Sequence, residues 1–474
     1  MTLLIKNIDC IGTFDDEDRI LYGGSILVDG CKISKVGNFK TDGVPVDDEI
    51  DGGGRVALPG FVNTHHHFFQ QLTRAYPPVH SCSVADWLFH LHPIWGEMDE
   101  EGMYFASLSA AAELLLTGCT TTSDMTYFFP YSRTSFIDIE IQATSEIGIR
   151  FHPMRGSMPR MEGDLADRLE KAGFPGRSLT EKTDFILSDC ERVIKRYHDP
   201  GRYSMCRVVV GPTDKTYDQP GFMQDLADLA RRHGVSMHTH LHPRRDEVAM
   251  VRERFGKEPI DFLDDVGWLG KDVWFAHATA FTPYDIDRIV QTGTGISHCP
   301  SSNMRIAYGI APVPAMIRAG AKVSIGVDGG ASNDSGNFLM ELREALLIHR
   351  IRDIHPAPYN NENATSPYDI LRIGNRGGAS VLNRDDIGSL ETGKAADIVL
   401  FDLNRIDYAG THDPLAALLF CGLSHRADTT IVNGQVVVKN GKLTRVNETD
   451  LFNGAEKAAS RLLRTCREKN PLVK

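Results

Sequence analysis

Short apolar runs that alternate with longer helical patterns fill the middle of the chain. Eight of these runs are strand candidates by their length and apolar content. The runs are Leu58–His67, Gly118–Asp124, Ile149–Pro153, Cys206–Gly211, Val235–His240, Val273–His277, Gly295–His298 and Lys322–Asp328. Helical patterns lie between them, for example at Glu101–Leu116, Lys182–Tyr197 and Gly221–His233. Eight strand–helix repeats predict an α/β fold with a closed parallel (β/α)8 barrel of the TIM type.

The two ends of the chain have a different pattern, in which short β-like runs are separated by Gly, Asp and Asn turns. Examples are Ser25–Gly30, Lys32–Gly37, Ala396–Asp402 and Thr430–Val438. Asn433 and Gly434 interrupt the last run and are typical of a two-residue hairpin turn. Two β-rich ends around a long middle predict one small β-sandwich domain that is built from both termini.

These patterns divide the chain into two structural units. We assign residues 58–380 to the barrel, and residues 1–57 and 381–474 to the two parts of the sandwich. The last part also contains a predicted helix over Glu448–Arg467.

The composition is that of an ordinary globular protein. Of the 474 residues 42% are hydrophobic and 24% are charged, and the formal net charge is −12. The sequence has no Lys/Arg block and no basic helix, so nucleic acid and anionic membranes are not expected as partners. The nine cysteines are scattered and form no CxxC pair, so neither a disulfide framework nor a zinc ribbon is indicated.

Neither a secretion signal nor a membrane segment is recognisable in the sequence. The N-terminus lacks a basic region followed by an apolar core. No run of about 18 apolar residues occurs, which is the length a membrane span needs. We therefore expect a cytoplasmic protein.

Three adjacent histidines end the first predicted barrel strand. Because successive strand residues point to opposite faces, His65 and His67 share one face and His66 points away. Two imidazoles at this spacing can both reach one metal ion at about 2.0–2.1 Å. On this segment alone, a polar loop without a metal is an equally open interpretation.

Other predicted strands also end in residues that bind metals. Strand five ends in His238 and His240, strand six in His277, and the eighth run in Asp328. The carboxyl ends of barrel strands converge on one site. Imidazoles together with a carboxylate are a suitable ligand set for Zn²⁺ or a similar divalent ion. Four strands that each end in the right residue type favour a shared metal site over coincidence.

The chain resembles the amidohydrolase superfamily, in its branch of ring-acting deaminases and triazine hydrolases, over nearly its whole length. The matching segments are Leu58–Gln70, Arg155–Met158, His238–Leu241, Phe275–His277, Ser297–Asn303, Gly326–Asp334, Gly393–Val399 and Val432–Gly434. The resemblance implies a distorted TIM barrel with one divalent ion, Zn²⁺ in the first place and Fe²⁺ or Mn²⁺ as alternatives. It also implies a small heterocyclic substrate and a homo-oligomer.

Site residues follow from the same resemblance, position by position. The implied metal ligands are His65, His67, His240 and Asp328. His277 would act as a base or orienting group for the attacking water, and Asp328 would accept a proton. Gln70, Trp87 and Arg155 would line the substrate pocket, and Asn303 and Asn333 would support the site from loops.

One position departs from the pattern of the resembling deaminases. These enzymes have a glutamate three residues after the strand-five histidine, and it transfers a proton between water and a ring nitrogen. Here Pro243 occupies that position, and proline cannot transfer a proton. A general acid contributes about 10²–10⁴ in rate. Either His242 or a carboxylate such as Asp246 replaces it, or the substrate is a partly saturated ring that needs less activation, or the protein is inactive on such rings.

Two arginines that follow the proline bear on the substrate. Arg244 and Arg245 could bind a substrate carboxylate through paired hydrogen bonds, and His242 and Arg244 are therefore candidate substrate contacts. The alternative is a solvated loop with two surface charges. If the arginines point inward, a ring with an acidic side chain, such as a hydantoin or thiohydantoin propionate, becomes more attractive than a purine.

Three functional hypotheses remain open at this stage. The first is a metal-dependent hydrolase of a C–N bond in or on a nitrogen heterocycle, which releases ammonia or an amine. The second uses the same site with another leaving group, such as sulfide or chloride. The third is a catalytically inactive homologue that binds a heterocycle, and the complete ligand set argues against it.

Overall fold

The computed structural model describes residues 1–130, 133–161, 164–214, 219–241, 245–352, 364–421 and 426–470. The side chains of residues 245–247 and 352 lie outside this description. Within it, the strands along the chain are β1 (Thr2–Gly12), β2 (Ile20–Asp29), β3 (Lys32–Gly37), β4 (Asp48–Asp51), β5 (Arg55–Pro59), β6 (Phe61–Asn63), β7 (His66–His67), β8 (Cys119–Thr126), β9 (Arg150–Ser157), β10 (Val209–Pro212), β11 (Ser236–Leu241), β12 (Val273–His277), β13 (Gly295–His298), β14 (Lys322–Ile325), β15 (Asp328–Gly329), β16 (Ile398–Asp402), β17 (Thr429–Val432), β18 (Gln435–Lys439) and β19 (Lys442–Leu443).

The helices occupy the segments between the barrel strands and the end of the chain. They are α1 (Val84–Trp95), α2 (Glu100–Leu116), α3 (Ser135–Ile147), α4 (Leu165–Lys171), α5 (Thr183–Tyr197), α6 (Pro220–His233), α7 (Arg245–Phe255), α8 (Pro259–Asp265), α9 (Pro283–Thr292), α10 (Pro300–Arg305), α11 (Val313–Arg318), α12 (Phe338–Arg352), α13 (Pro367–Arg372), α14 (Gly378–Val381), α15 (Pro414–Phe420) and α16 (Glu448–Lys469). Among these helices, none combines the length and the apolar character that a bilayer crossing demands.

Local sequence explains where the predicted helices begin and end. The side chain of Asp99 accepts a hydrogen bond from the Gly102 amide and so caps α2. Pro220 starts α6, and Gly234 ends it in the left-handed conformation at a φ of 68°. The four predicted helices, which correspond to α2, α5, α6 and α16, are confirmed within two residues at each end.

Eight parallel strands close the barrel. Their order around the barrel is β6, β8, β9, β10, β11, β12, β13 and β14, and β14 returns to β6. Most of the strand residues are buried on both faces, as expected for a parallel sheet that helices cover. The predicted (β/α)8 barrel is therefore confirmed.

The first and last predicted strands do not continue as single strands. The run Leu58–His67 divides between β5, which pairs in the terminal sheet, β6 in the barrel, and β7. Pro59 has no amide hydrogen to donate, and Gly60 packs so closely that a Cβ atom would lie 2.1 Å from Thr120 Oγ1. The chain therefore changes sheets at this point, and the prediction of one continuous strand is wrong.

The last barrel strand ends earlier than predicted. β14 stops at Ile325, and Asp328 lies in β15, which pairs with β7 so that Asp328 is opposite His66. This two-stranded ladder lies beyond the barrel edge. It brings the first and last strand ends of the barrel together.

The terminal domain draws strands from both ends of the chain, as predicted. Nine strands form one continuous sheet in which β16 pairs with β5, and β1 joins the N-terminal strands to it. Strands from both ends contribute buried residues to a second hydrophobic cluster, which includes Ile5, Ile26, Ile398 and Ile431. The hairpin turn between β17 and β18 is confirmed, with Asn433 and Gly434 at φ values of 51° and 79°.

A buried ion pair joins the barrel to the terminal sheet. The guanidinium of Arg150, at the start of β9, donates to both carboxylate oxygens of Asp397 at 3.0 and 3.1 Å. It also donates to the Tyr203 and Ser204 carbonyls and to the Asn433 side chain. Both charged side chains are almost completely inaccessible to solvent, so removing one partner leaves an uncompensated buried charge.

We expect Arg150→Met to destabilise the protein by about 3–5 kcal/mol, because Asp397 then loses its buried partner. Urea unfolding of the purified protein measures this change. Arg426→Met is the matched control, since Arg426 pairs with Glu448 at the surface and its side chain is 52% exposed. The control should change stability by less than about 1 kcal/mol. Equal effects of the two substitutions would contradict the assigned role of Arg150.

Candidate metal centre

Five predicted side chains meet at the carboxyl ends of the barrel strands. His65 precedes β7, His67 lies in it, His240 is near the end of β11, His277 ends β12, and Asp328 begins β15. The Nε2 atoms of His65 and His67 are each 3.3 Å from Asp328 Oδ1. His277 Nε2 is 3.9 Å from Asp328 Oδ2. Residues separated by more than 200 positions in sequence thus form one cluster.

Hydrogen bonds to main-chain carbonyls fix the tautomer and the ring orientation of His67 and His240. The Nδ1–H of His67 donates to the Met125 carbonyl at 2.9 Å, and the Nδ1–H of His240 donates to the Thr213 carbonyl. Both Nε2 atoms are then unprotonated. They face each other at 3.1 Å. Two lone pairs cannot form a hydrogen bond with each other, so this arrangement suits a cation between them.

A relay of two histidines orients His65 in the same way. His238 donates from Nδ1 to the Trp274 carbonyl at 2.9 Å, so its Nε2 is an acceptor. His65 Nδ1 lies 2.8 Å from this atom and is therefore the donor. The lone pair of His65 Nε2 consequently faces Asp328. His66 is turned away, and its ring packs against Phe68 with centroids 4.9 Å apart.

The first turn of α10 orients the remaining two groups. Asn303 Oδ1 accepts from His277 Nδ1 at 2.9 Å, which leaves the lone pair of His277 on Nε2. Ser302 donates its hydroxyl to Asp328 Oδ2 at 2.5 Å. Asp328 Oδ1 therefore faces the imidazoles.

Burial and mutual charge favour the protonation states that bind metals. Burial, followed by the charge of neighbouring imidazoles, lowers the pKa of His67 to about 3 and that of His240 well below its usual value. Burial alone would raise the pKa of Asp328, but His65, His277 and His67 together lower it well below its usual value. At neutral pH the cluster thus offers neutral rings at His67 and His240 and a carboxylate at Asp328, which are the ligating forms.

Two of the site residues have strained backbones. His277 has a φ of 77° and Asp328 a φ of 60°, in the left-handed region that non-glycine residues seldom adopt. Such conformations cost about 1–3 kcal/mol each and persist where the surrounding structure imposes them. The strain directs both side chains toward the cluster.

The donor set fits a divalent cation. One ligand atom from each of His65, His240, His277 and Asp328 lies within 4.8 Å of the other three. His67 Nε2 adjoins this group through its contacts with His240 and Asp328. Nitrogen lone pairs and one carboxylate oxygen are the ligands that Zn²⁺ and related ions prefer.

Comparison with known proteins agrees with this geometry. The sequence model of the amidohydrolase family matches residues 56–437, which span the barrel and the strands β5, β16, β17 and part of β18 of the terminal sheet. The chain belongs to the amidohydrolase family. The segment matched includes every residue of the cluster.

This amidohydrolase is similar to enzymes of known activity over most of its length. It is 40% identical to an 8-oxoguanine deaminase of Pseudomonas aeruginosa, over 93% of this chain and 95% of the relative. It is 38% identical to the hydroxydechloroatrazine ethylaminohydrolase of Pseudomonas sp. strain ADP, over 98% of this chain and 96% of the relative. Among solved structures, the zinc complex of an atrazine chlorohydrolase from Arthrobacter aurescens TC1 superimposes with a TM-score of 0.89. That enzyme is 34% identical, and the match covers 96% of this chain and all of the other.

Gln70 and Trp87 lie in the segments of the amidohydrolase that follow β7. The Trp87 Nε1–H donates to the Ala331 carbonyl at 3.0 Å. The Gln70 side chain covers Gly329, where a Cβ atom would lie only 1.9 Å from its Oε1. Both side chains are therefore anchored to the segment that follows Asp328. Their contact with a substrate stays a prediction.

Arg155 has a different environment from the one expected. Its guanidinium is completely buried and donates to both carboxylate oxygens of Glu181 and to Asp189. The ring of Phe129 stacks on it, with the guanidinium carbon 3.8 Å from the ring centroid. These partners neutralise the charge of Arg155 within the protein, and its contact with a substrate stays a prediction.

The other predicted loop residues divide into two groups. Asn333 donates to the Val327 carbonyl at 2.7 Å and to Glu341, and so holds the segment around Asp328, as expected. His242, Pro243 and Arg244 lie outside the described residues, and so do the side chains of Arg245 and Asp246. The replacement of the glutamate therefore stays a prediction from sequence.

Two functional side chains were missed by the sequence analysis. The Tyr127 ring packs edge-on against His67 with centroids 5.3 Å apart, and its hydroxyl contacts the Gln70 and Thr213 side chains. Ser302 binds Asp328, as described above. Three adjacent aromatic residues, at positions 127–129 directly after β8, could have indicated an aromatic side chain near the site and so Tyr127. Ser302 lies within Ser297–Asn303, one of the segments that match the family, but the sequence analysis assigned it no role.

Loss of a cluster residue should release bound metal. We expect His65→Ala and Asp328→Ala to weaken the affinity for a divalent ion by more than about 100-fold, which exceeds the cost of losing an outer partner. Elemental analysis and competition with a chelator measure the bound ion. His80→Ala removes an exposed imidazole outside the cluster and should retain the wild-type metal content. Full metal content in either cluster variant would contradict the assignment.

Proposed function

We propose that the protein is a zinc-dependent hydrolase that attacks an sp² ring carbon of a nitrogen heterocycle with water and releases ammonia or an amine. The convergence of four unprotonated Nε2 atoms on Asp328 is the observation that supports this proposal most strongly. The similarity to a deaminase and an ethylaminohydrolase over almost the whole chain supports the reaction class. The proposed ligands of a single ion are His65, His67, His240 and Asp328.

The surrounding side chains have distinct roles in this proposal. When bound, a divalent ion lowers the pKa of a coordinated water toward neutrality and supplies the nucleophile. His277 presents its Nε2 lone pair to the reacting water, because Asn303 holds the proton on Nδ1. Asp328 accepts the proton that the water loses, while Ser302 keeps its second oxygen occupied.

The substrate pocket is proposed to lie between aromatic and amide side chains. Trp87 and Tyr127 offer flat surfaces for a planar ring, and Gln70 offers an amide. Asn303 Nδ2 has no acceptor among the described residues, which leaves it able to donate to a substrate. A polar heterocycle with exocyclic oxygen or nitrogen matches these groups.

A second candidate function follows from Pro243. Without a general acid at that position, a partly saturated ring with a more reactive carbonyl or thiocarbonyl carbon is easier to hydrolyse. Arg244, with Arg245 beside it, would bind an acidic side chain of such a ring, and His242 would contact the ring itself. A hydantoin or thiohydantoin carboxylate is the proposed substrate class in this case, with C–N or C–S cleavage.

The assembly is proposed from the family resemblance, and the location is carried over from the sequence analysis. We infer a homo-oligomer in the cytoplasm. Light scattering of the purified protein should give a multiple of the chain mass of 52.5 kDa. A mass equal to that of one chain would contradict the oligomer.

A release assay separates the candidate reactions. Purified protein is incubated with amino-substituted purines, triazines and pterins in one series and with thiohydantoin carboxylates in another. We expect ammonia or an amine from the first series. Sulfide from the second series would favour the second candidate, and tight binding with no product from either would favour an inactive binding protein.

Metal dependence is tested on the same assay. Exhaustive chelation should abolish turnover, and Zn²⁺ should restore it, with Fe²⁺ and Mn²⁺ as the comparison ions. The His80→Ala protein, treated identically, is the control for nonspecific damage. Full activity after complete metal removal would refute the proposed mechanism.

Arg244→Ala tests the preference for an anionic substrate. Loss of a paired hydrogen bond to a carboxylate should raise KM about tenfold, the equivalent of about 1.4 kcal/mol. The KM of a neutral analogue should stay unchanged. Arg254→Ala, at an exposed position on α7, is the matched control. Equal changes for anionic and neutral substrates would rule out a carboxylate contact.

A further inference from the structure

Two completely buried carboxyl groups lie behind the segment that contains His65 and His67. Asp124 is on β8 and Glu140 on α3, and both side chains are inaccessible to solvent. The hydroxyl of Thr126 contacts both, at 3.0 Å from Asp124 Oδ2 and directly against Glu140 Oε1. Two charged carboxylates in such a position would repel strongly in a medium of low dielectric constant.

The hydrogen bonds require one of these carboxyl groups to be neutral. A threonine hydroxyl has a single hydrogen, so Thr126 can donate to one carboxyl group but must accept from the other. Asp124 also accepts the Phe68 amide hydrogen at 2.6 Å, which is the short distance of a bond to a charged acceptor. Glu140 Oε2 has no partner among the described residues, an arrangement that costs less for a neutral acid than for an anion. Burial raises the pKa of both acids, that of Asp124 to about 7. For Glu140 the charge of Asp124 adds to burial and raises the pKa well above its usual value, so Glu140 is the acid that keeps the shared proton.

The ionised Asp124 binds the main chain of the segment that contains His65 and His67. Phe68, whose amide it binds, is the residue after His67. The adjacent Met125 carbonyl accepts from His67 Nδ1 at 2.9 Å. Three consecutive residues of β8 therefore hold the ring of His67, the peptide that follows it, and, through Thr126, the neutral acid of α3.

We propose that Asp124 is a positioning residue for the metal centre: it fixes the backbone after His67, and a neutral Glu140 acting through Thr126 keeps it charged and oriented. This inference rests on the proposed metal centre. It assigns a purpose to a buried acid pair that takes no part in the proposed reaction.

Two nearly isosteric substitutions distinguish the two carboxyl groups. Glu140→Gln replaces a neutral acid by a neutral amide that still donates to Thr126, so Zn²⁺ affinity should stay within about threefold of wild type. Asp124→Asn removes the charge and places an NH₂ group against a donor, so Zn²⁺ should bind about 10–100-fold more weakly, as for other outer partners of metal ligands. Competition with a chelator measures both affinities. Thermal unfolding of the metal-free proteins shows whether either variant is generally damaged.

Two results would overturn the inference. One is unchanged Zn²⁺ affinity in Asp124→Asn, and the other is an equal loss in both variants, which would mean that Glu140 must be charged. If Asp124→Asn does not fold, Thr126→Val provides the alternative test. It removes the bridging hydroxyl at nearly constant volume, and wild-type affinity in this variant would also overturn the inference.

Hydrogen exchange separates this inference from the proposed function. In the metal-free protein, the Phe68 amide should exchange slowly in wild type and Glu140→Gln, and at least tenfold faster in Asp124→Asn. If wild type binds no Zn²⁺ at all, the proposed function fails but this exchange pattern still tests the role of Asp124. If wild type binds Zn²⁺ and Phe68 exchanges equally in all three proteins, only the role of Asp124 fails.

Discussion

The structure depends on outward hydrogen bonds that fix the tautomers of four histidines. In His67 and His240 a main-chain carbonyl accepts the Nδ1 hydrogen, in His65 the acceptor is His238, and in His277 it is Asn303. Each bond leaves a nitrogen lone pair that faces the same small volume as Asp328. Without these acceptors, every ring could turn or exchange its proton, and the lone pairs would not converge. An outer layer of neutral acceptors therefore decides whether the inner layer binds a cation.

The barrel supplies these acceptors because of its topology. Adjacent parallel strands end at one edge, so the carbonyl of one strand end lies next to the side chain of its neighbour. The Met125 carbonyl on β8 accepts the hydrogen bond of His67, and the Thr213 carbonyl after β10 accepts that of His240. The Trp274 carbonyl on β12 accepts that of His238. The pairing of β7 with β15 completes the cluster, because it places Asp328 next to the segment that contains His65 and His67.

Sequence patterns predicted the barrel strands and the helices well, because periodic burial is a local property of each element. The clustering of the five candidate side chains was also predictable, since each lies at the end of a predicted strand. The fate of the Leu58–His67 run was not predictable, because the change of sheet at Pro59 depends on contacts with β16 and Thr120. The burial of Arg155 in an ion pair was not predictable, because its partner Glu181 lies 26 residues away in an irregular segment. Tyr127 was missed because three adjacent aromatic residues follow β8, and the sequence does not indicate which of them packs against His67.

The amino-acid sequence by itself determined the order of the elements, the residue types at each strand end and the absence of a glutamate at Pro243. It determined these because they are properties of single segments. Only the tertiary structure decided which nitrogen of each histidine carries the proton, which arginine is neutralised inside the protein, and which acid supports the histidine segment. These depend on partners from other strands and helices, whose distances arise only when the barrel closes.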